Sequence, residues 1–353
     1  MHKFLFVVLV GRDDADLVIT TKVPAIIFLT VITHKCHHVP LREGNQFKPL
    51  VLIVLAGTGI LCGAHRLWSH NSYKATWPLR LFLMLCQTLS TQFSVYSWVR
   101  DHRLHHKFSD TEIDPHNSNR GFFFSHIGWF MTGRAQEAKK ELRKIWMEDI
   151  RRDKIVMFQY YLYIPMVFIF SFIGPSFIPW YFWNENLLLS HLAVTHLRNV
   201  VVMHLTFTVN SLAHTWGMKP FDRFMKPVDS TLVWFTTLGS EGWHNYHHVF
   251  PWDYKASEYW GYKRGLSTNF IELCARLGLA YDLKTTSPDF AMKRRLRTGD
   301  LSCHVWGWND PGLDLVDKDM AVIRHKKDED QPSVTHSMAK LGELKPVAKL
   351  KES

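Results

Sequence analysis

Three short histidine-rich motifs stand beside long apolar stretches of the chain, and their side chains are the ones that could do chemistry. The motifs contain His65 and His70, then His102, His105 and His106, and finally His244, His247 and His248. Residues three and four positions apart share one face of an α-helix, so the second and third motifs can each present three imidazoles together. The two histidines of the first motif are five positions apart, about 140° around a helix. They converge only if the helix ends or bends there.

Eight histidines in three motifs favour a metal site, whereas a single histidine beside an apolar stretch is more often a structural hydrogen-bonding residue. Neutral imidazole suits iron, copper, zinc and nickel. One zinc ion takes three or four protein ligands, so eight imidazoles fit two metal ions better. Two redox metals at a membrane face indicate oxygen activation and attack on an unactivated C–H bond of an apolar substrate. Zinc-dependent hydrolysis is the alternative, and the chain lacks the HExxH arrangement that such hydrolysis uses.

Further candidates lie near the motifs. Asn210 and His214 are four residues apart and share a helical face at the end of an apolar stretch. They could bind a metal, Asn210 directly or through water, or they could form a hydrogen bond between helices. Asp101, Asp114 and Glu241 could accept hydrogen bonds that orient the imidazoles; otherwise they are ordinary surface charges.

Bulk composition limits the class of protein. The chain has 353 residues, 46% of them hydrophobic, and a net charge of +10 with histidine neutral. The basic excess fits an anionic membrane surface, a phosphate-bearing ligand or an acidic protein partner. We expect no nucleic acid partner, because no zinc finger, basic helix or RNA-binding aromatic motif is present. The five cysteines form no CxxC pair, which argues against a disulfide framework or a thiolate zinc site.

The pattern of apolar and charged segments predicts an all-α integral membrane protein with four transmembrane helices and a cytosolic helical cap that carries the histidines. The predicted parts are an N-terminal segment with a short first span (1–48), a second span ending in the first motif (49–70), cytosolic or interfacial helices with the second motif (71–154), the third and fourth spans (155–218), the cap with the third motif (219–317), and a disordered charged tail (318–353). The first span is long enough to cross only if residues 17–21 extend the apolar stretch 23–33 and Lys22 snorkels.

Topology constrains the intervening segments. All three motifs can form one site only if they lie on the same side of the membrane. Residues 81–99 are uncharged but rich in glutamine, serine and threonine, and they must not cross the bilayer if the first two motifs are to meet. We therefore expect them at the interface or beneath the soluble part. The same counting places the polar cluster 34–38 on the opposite side. Basic residues crowd 100–154, which predicts that the motifs and both termini are cytosolic.

The residues around the motifs resemble the membrane acyl-CoA desaturases, in particular the stearoyl-CoA Δ9 type of animals and its insect members. The resemblance extends from about Gly63 to Asp310. It includes GAHRLWSH at 63–70, RDHRLHHK at 100–107, DPHN at 114–117, RGFFFSHIGW at 120–129, NSLAH at 210–214 and EGWHNYHHVFPWDY at 241–254. Three motifs in this order with these flanking residues are highly specific.

The resemblance implies a four-span protein of the endoplasmic reticulum membrane with a di-iron centre. The implied metal ligands are His65, His70, His102, His105, His106, His214, His244, His247 and His248, with Asn210 acting through water. It also implies electrons from cytochrome b5 and its NADH-dependent reductase, reduction of O2, and insertion of a cis Δ9 double bond into a saturated C16–C18 acyl-CoA beside membrane lipid. The alternatives are a Δ11-type or other regiospecific desaturase, a related di-iron lipid hydroxylase, and a weakened lipid-binding homologue.

The resemblance assigns substrate contacts as well. By motif match, Gln92, Trp98 and Thr206 shape a kink in the acyl tunnel, and Arg100 and Asp101 contact the CoA group. A guanidinium suits the phosphates of CoA. Arg134 stands in a position where an arginine–lysine pair is usual, after Gly133.

Other departures concern the same region. Phe93 replaces the usual asparagine or aspartate, Phe207 replaces a tryptophan on the CoA side, and a Trp-Arg-Asn element before the first span is missing. At the presumed tunnel end, Ile53 and Gly57 stand where tyrosine and alanine are frequent, which predicts room for longer chains. The last five residues, KLKES, fit a dilysine retrieval pattern for the endoplasmic reticulum.

Overall fold

The computed structural model describes residues 8–13, 16–21, 47–256 and 265–300, and this part of the chain is mostly helical. The α-helices are α1 Phe47–Thr58, α2 Trp77–Leu89, α3 Val95–Lys107, α4 Trp129–Met131, α5 Gln136–Leu142, α6 Glu148–Arg152, α7 Lys154–Tyr161, α8 Tyr163–Val167, α9 Gly174–Trp183, α10 Leu187–Ser190, α11 Arg198–Ser211, α12 Thr231–Thr236, α13 His244–Val249, α14 Gly265–Arg276 and α15 Pro288–Thr298. π-Helical stretches cover Gly59–Ser69, Phe124–Gly128, Phe168–Ile173 and His191–Leu197, and 3₁₀ turns cover Ser118–Arg120 and Leu212–His214.

Two small antiparallel sheets correct the all-α prediction. Strands β1 (Val8–Asp13) and β2 (Asp16–Thr21) pair in one, and β3 (Lys74–Ala75) pairs with β4 (Ala280–Tyr281) in the other. Residues 17–21 were predicted to extend a first transmembrane helix, but they form β2, in keeping with their β-branched side chains. The rest of that predicted span, the cluster 34–38 and the charged tail lie outside the described residues.

Three helices in the described ranges are long and apolar enough to cross a membrane. We call them span A (Pro49–Ser69), span B (Tyr163–Trp183) and span C (Leu187–His214). Each contains at least the roughly 20 residues needed for a bilayer core of about 30 Å. Spans B and C are joined by a short loop, where Asn184 adopts a left-handed conformation (φ 52°) and ends α9. The chain therefore has the helices of a membrane protein.

Residues 81–99 do not form one helix. They are divided between α2 and α3 by a turn at residues 90–94. Helix α2 has 13 residues, about 20 Å of helix, and is too short to cross. It packs against span A so closely that a Cβ atom on Gly59 would lie 2.1 Å from the backbone nitrogen of Gln87. No continuous helix crosses here, as the single-site topology requires, and α2 and α3 form a helical hairpin.

These residues were predicted at the interface or beneath the soluble part, and the structure packs the turn of the hairpin against spans B and C. Helix α2 ends against the middle of spans B and C, where its last carbonyls need partners that lipid cannot supply. Ser171 Oγ of span B donates to the carbonyl of Thr88 at 2.8 Å, and Arg198 Nη1 of span C donates to that of Leu89 at 2.7 Å. Arg198 is fully buried and also donates to the carbonyls of Val194 and Ser171. A cation at a helix C-terminus is electrostatically favourable.

We predict that Gly59→Ala destabilises the protein by about 1–3 kcal/mol, because the new methyl group overlaps the backbone of α2. The measurement is the thermal unfolding temperature of the purified protein in detergent. Gly57→Ala is the matched control, since a Cβ at that position meets no atom within 4 Å. Equal unfolding temperatures for the two variants would contradict the close approach of α2 to span A.

Candidate metal centre

Nine histidines lie in two adjacent groups at the ends of the helices described above. Group 1 contains His65, His70, His102, His106 and His247, and group 2 contains His105, His214, His244 and His248. Within each group the candidate ligand nitrogens lie within 4.8 Å of one another. The structure thus brings together every histidine that the motifs indicated, and it divides them between two sites.

The first motif has this geometry because its backbone is wound as a π-helix. The backbone N–H of His70 donates to the carbonyl of His65 at 3.2 Å. Hydrogen bonds of a π-helix join residues five apart, so the two rings lie side by side with centroids 5.0 Å apart. The sequence predicted that the helix ends or bends here. The π-helical winding also brings the two rings together, and it explains why these histidines are five positions apart.

The second and third motifs each serve both groups. On α3, His102 and His106 are four residues apart and belong to group 1, whereas His105 belongs to group 2. On α13, His247 belongs to group 1 and the other two histidines to group 2. The rings of His106 and His248 stack at 4.2 Å where the groups meet. A displacement of either helix would therefore disturb both groups together.

Carboxylates fix the outer nitrogens of three histidines. Glu241 and Asp114 were predicted to orient imidazoles, and they contact His65 Nδ1 at 3.2 Å and His105 Nδ1 at 2.9 Å. Asp114 also lies 3.8 Å from Nδ1 of His116. A carboxylate on Nδ1 holds the proton there and leaves the Nε2 lone pair free for a metal.

The third carboxylate was missed in the sequence. Asp110 accepts from Nδ1 of His214 at 2.9 Å, whereas Asp101, which was predicted for this role, pairs with Arg134 at 2.5 Å. Burial alone would raise the pKa of Asp110, but hydrogen bonds from His214 and Ser118 outweigh it and lower that pKa. The only sequence signal was its place four residues after the second motif.

Six of the nine imidazoles favour the neutral form. Burial first, and then the neighbouring rings, keep the pKa values of six of them well below the ordinary value; these are His70, His102, His106, His244, His247 and His248. At His105 burial also lowers the pKa, but the Asp114 carboxylate raises it overall. Neutral imidazole is the form that binds metal.

The close contacts between ring nitrogens fit bound cations. Nε2 of His247 lies 2.9 Å from Nε2 of His65 and 3.1 Å from that of His106. In group 2, Nε2 of His244 lies 3.1 Å from Nε2 of His214 and 3.1 Å from Nε2 of His248. One nitrogen carries at most one proton and cannot satisfy two such contacts as hydrogen bonds. A cation within each group satisfies all of them, and imidazole suits first-row transition metals.

Two arginines inside the motifs lock the motifs to one another, and the sequence reading overlooked them. Arg103 donates to two backbone carbonyls at the end of span A and to both carboxylate oxygens of Asp149. Arg66 is buried and donates to the carbonyl of Ser240 and to Glu241. Arg103 connects the second histidine motif to the first, and Arg66 connects the first motif to the third. The sequence signal that could have identified them is an arginine placed between ligand histidines.

Two cavities meet beside the histidines. The apolar cavity is lined by Ile53, Val54, Gly57, Thr58, Ile60, Leu61, His65, Trp98, His102, His105, Val202, Leu205, Thr206, Val209, Asn210, Thr236, Thr237, Leu238, Ser240, Glu241, His244, Leu266 and Ser267. The aromatic cavity is lined by Thr91, Gln92, Phe93, Trp98, Asp101, His102, His116, Trp129, Phe130, Met203, Thr206, Phe207 and Asn210. Four residues belong to both walls: Trp98, His102, Thr206 and Asn210. We call this position the junction.

The three residues predicted to bend the acyl tunnel lie at or beside the junction. Gln92 Nε2 donates to Thr206 Oγ1 at 2.9 Å, which ties the turn after α2 to span C. The ring of Trp98 stacks on His102 with centroids 4.8 Å apart. Asn210 lies on the same walls, next to the histidine groups.

The residues predicted on the CoA side are only partly at the cavity. Asp101 lines the aromatic cavity and is paired with Arg134. Arg100 is in neither wall among the described residues; its guanidinium lies over the ring of Tyr96, 5.8 Å from the centroid. The geometry brings Asp101 to the cavity, with Arg134 paired to it, and leaves Arg100 outside the wall.

Three phenylalanine rings form one side of the aromatic cavity. Phe93 and Phe207 both line the aromatic cavity, and each approaches Phe130, at 6.0 and 5.9 Å between centroids. These phenylalanines come from the turn after α2, from α4 and from α11. The cavity therefore offers fewer hydrogen-bonding groups on this side than the motif pattern predicts.

A buried set of imidazoles at the ends of apolar spans, next to an apolar cavity, defines a membrane-bound metalloprotein that handles lipid. Residues 46–264 match the family model "Fatty acid desaturase". The chain is 48% identical to an acyl-CoA Delta-9 desaturase of Acheta domesticus over 79% of this chain and 77% of that protein. It is 48% identical to an acyl-CoA Delta12-desaturase of the same species (79% and 78%) and 48% identical to a stearoyl-CoA desaturase of Mesocricetus auratus (72% and 71%). The chain belongs to the fatty acid desaturase family.

We predict that Asp110→Asn lowers metal affinity at group 2 by roughly 10- to 100-fold, because the amide cannot hold the proton on His214 Nδ1 as a carboxylate does. The measurement is metal content of the purified protein after dialysis against a graded chelator series. Glu112→Gln, two residues away and exposed, is the control and should retain metal like the wild type. Identical retention in both variants would show that Asp110 does not act on group 2.

Proposed function

We propose that this protein is an acyl-CoA desaturase that inserts a cis double bond, at Δ9, into saturated C16–C18 fatty acyl-CoA. The observation that carries the proposal is the position of the two histidine groups at the junction of the two cavities. A long saturated chain placed through both cavities would have one of its middle bonds beside the imidazoles. An enzyme acting at the end of a chain, or on a soluble substrate, would not need two cavities that meet at its metal site.

The names of the relatives support the reaction and the position of the bond. One is named an acyl-CoA Delta-9 desaturase and another a stearoyl-CoA desaturase. The Delta12 relative has the same identity of 48%, so identity alone does not separate the two positions. Position depends on where the cavity holds the chain, and the resemblance of the whole motif set to the stearoyl-CoA type favours Δ9.

We infer that the centre contains two iron ions. The five histidines of group 1 would hold one and the four of group 2 the other, with Asn210 reaching the second through water. When bound, the two irons supply the oxygen chemistry that removes hydrogen from an unactivated C–H bond. The proposal is supported by the number of imidazoles, which suits two ions of high coordination number, and by the affinity of imidazole for iron.

The protein's own side chains have three tasks in this reaction. The walls of the apolar cavity exclude water and hold the methyl end of the chain. Gln92, Thr206 and Trp98 form the bend that brings one C–C bond to the histidines. Asp110, Asp114 and Glu241 keep protons on the outer nitrogens of their histidines, so that the inner nitrogens face the metals.

The aromatic cavity would receive the thioester end of the substrate. Asp101 and Arg134 offer charged groups at this end, and Arg100 would contribute only after its side chain leaves the ring of Tyr96. The CoA group itself would lie outside the cavity, in contact with these residues. We expect weaker selection for the CoA group than the usual motif gives, because Phe93 replaces a polar residue and Phe207 lacks the indole N–H of the usual tryptophan.

We further propose that the protein is a multi-pass protein of the endoplasmic reticulum membrane with both termini cytosolic. Cytochrome b5 and its NADH-dependent reductase would deliver the electrons, and O2 would be the oxidant. The three spans support a multi-pass membrane protein, and the excess of basic residues between 100 and 154 supports a cytosolic position for the motifs and the C-terminus. A cytosolic N-terminus requires a fourth span, which would have to come from residues outside the described ranges. The net charge of +10 suits an acidic electron carrier.

Expression in yeast that lacks its own desaturase tests the proposed function. We predict growth without added unsaturated fatty acid and palmitoleate and oleate in the lipids, with the double bond located by mass spectrometry. His102→Ala removes a group 1 ligand and should abolish both. Correct membrane expression without rescue and without new unsaturated product would overturn the proposal; a hydroxylated product would identify a related hydroxylase instead.

The apolar cavity predicts which chain lengths are accepted. A Cβ on Gly57 meets no atom within 4 Å, and Gly57 lines this cavity together with Ile53. We predict that Gly57→Leu shifts product from C18 toward C16 or shorter chains, with Gly57→Ala giving a smaller shift, because added side-chain volume shortens the space for the methyl end. The measurement is the C18:C16 ratio of unsaturated product in the yeast assay. An unchanged ratio in Gly57→Leu would show that the chain end lies elsewhere.

A further inference from the structure

The turn at residues 90–94 between α2 and α3 has an unusual backbone. Thr91 and Phe93 both have positive φ angles, 58° and 64°. Neither is glycine, and a β-branched or aromatic side chain is strained in this left-handed region. Two such residues within three positions make this a strained turn.

The strained turn forms part of the substrate cavity. Thr91, Gln92 and Phe93 all line the aromatic cavity. Gln92, which lies between the two strained residues, donates to Thr206 beside the junction. The backbone conformation of the turn therefore determines where the bend of the cavity lies relative to the histidines.

A buried glutamine pair holds the two ends of the turn. Gln159 Nε2 donates to Gln87 Oε1 at 2.6 Å and to Thr88 Oγ1 at 2.8 Å, and its Oε1 accepts from the backbone N–H of Val95 at 2.8 Å. Gln87 Nε2 then donates to the carbonyl of Phe93 at 2.7 Å. Both glutamine residues are fully buried. One side chain, Gln159, thus connects the end of α2 with the start of α3.

Two further residues hold the same turn from the membrane spans. Ser171 and Arg198 donate to the carbonyls of Thr88 and Leu89, the last two residues of α2. Both are fully buried. Strained backbone persists only where the surrounding structure determines it from several sides, and it occurs most often at functional sites. Here the surrounding elements are α7, span B and span C, and none of the three contains a histidine of the three motifs.

We propose that Gln159, together with Gln87, Ser171 and Arg198, is a positioning element that sets which C–C bond of the acyl chain reaches the histidine groups. The inference rests on the proposed desaturase function. These residues touch neither the substrate cavities nor the histidines; they act through the strained turn and Gln92. A misplacement of about 1 Å at a reacting bond can cost about 100-fold in rate, so a relaxed turn should reduce both rate and positional accuracy.

The first test uses Gln159→Leu, which removes the three hydrogen bonds of the Gln159 side chain, to Gln87, Thr88 and Val95, at similar volume. We expect its product to carry the double bond at a mixture of neighbouring positions and its kcat to fall roughly tenfold or more, with iron content equal to that of the wild type. Position is measured by mass spectrometry of the products from yeast membranes. A purely structural role would lower yield without moving the bond.

A matched pair of serine variants keeps the test decisive if Gln159→Leu does not fold. Ser171→Ala removes the hydrogen bond to the end of α2. Ser176→Ala removes hydrogen bonds to the carbonyl of Phe172 and to His191 and Thr195 of span C, none of which involves the turn. We expect mixed positions from the first variant and a single position from the second. Both serines are buried, so any general effect of losing a buried hydroxyl is shared.

Relief of the strain provides a rescue. Glycine adopts positive φ without steric cost, so Thr91→Gly should restore part of the lost positional accuracy in the Gln159→Leu background. If the wild type, Gln159→Leu and Ser171→Ala all place the double bond at one and the same position, the inference is wrong but the proposed function stands. A wild type that forms no unsaturated product would overturn the proposed function and the inference with it.

Discussion

Nine imidazole rings share one buried volume, and their lone pairs repel unless cations lie among them. This constraint organises the structure. Each ring must come from a segment that ends at the same level, and each outer nitrogen needs an acceptor so that the inner nitrogen is free. Asp110, Asp114 and Glu241 supply acceptors for three rings, and Arg66 and Arg103 hold the three motifs in register. In the described part of the chain, these five charged residues are therefore committed to placing imidazoles.

Buried polar side chains have specific partners within the spans as well. Inside an apolar environment every helix end needs a partner, and the hairpin of α2 and α3 ends among the spans. Arg198 and Ser171 satisfy its last carbonyls, and Gln159 joins its two halves. These contacts place the wall of the aromatic cavity and the second histidine motif on one rigid unit. Substrate bend and metal site are therefore fixed by a common support.

The sequence predicted those features that depend on residue type and short spacing. The ligand histidines on α3 and α13 are three and four residues apart, and this spacing alone placed them on one face. The spacing of five in the first motif needed π-helical winding, for which the sequence offers no simple signal. Asp110 was missed because its partner, His214, is 104 residues away. The contacts that hold the hairpin were missed for the same reason, since Gln159, Ser171 and Arg198 are distant from it in the chain. The segment 17–21 forms a strand because its β-branched residues pair with residues 8–13.

The capping of α2 by Arg198 has a consequence for how the protein is made. The two residues are joined by a hydrogen bond across 109 positions. At a synthesis rate of about 5–20 residues per second, the ribosome needs roughly 5 to 20 s to reach the arginine after it has made the helix end. During that interval the hairpin has no partner for its last carbonyl within the membrane, and the second histidine motif has no fixed position. Metal can be inserted in its final geometry only after span C and the third motif have left the ribosome, so the centre matures late in synthesis or after it.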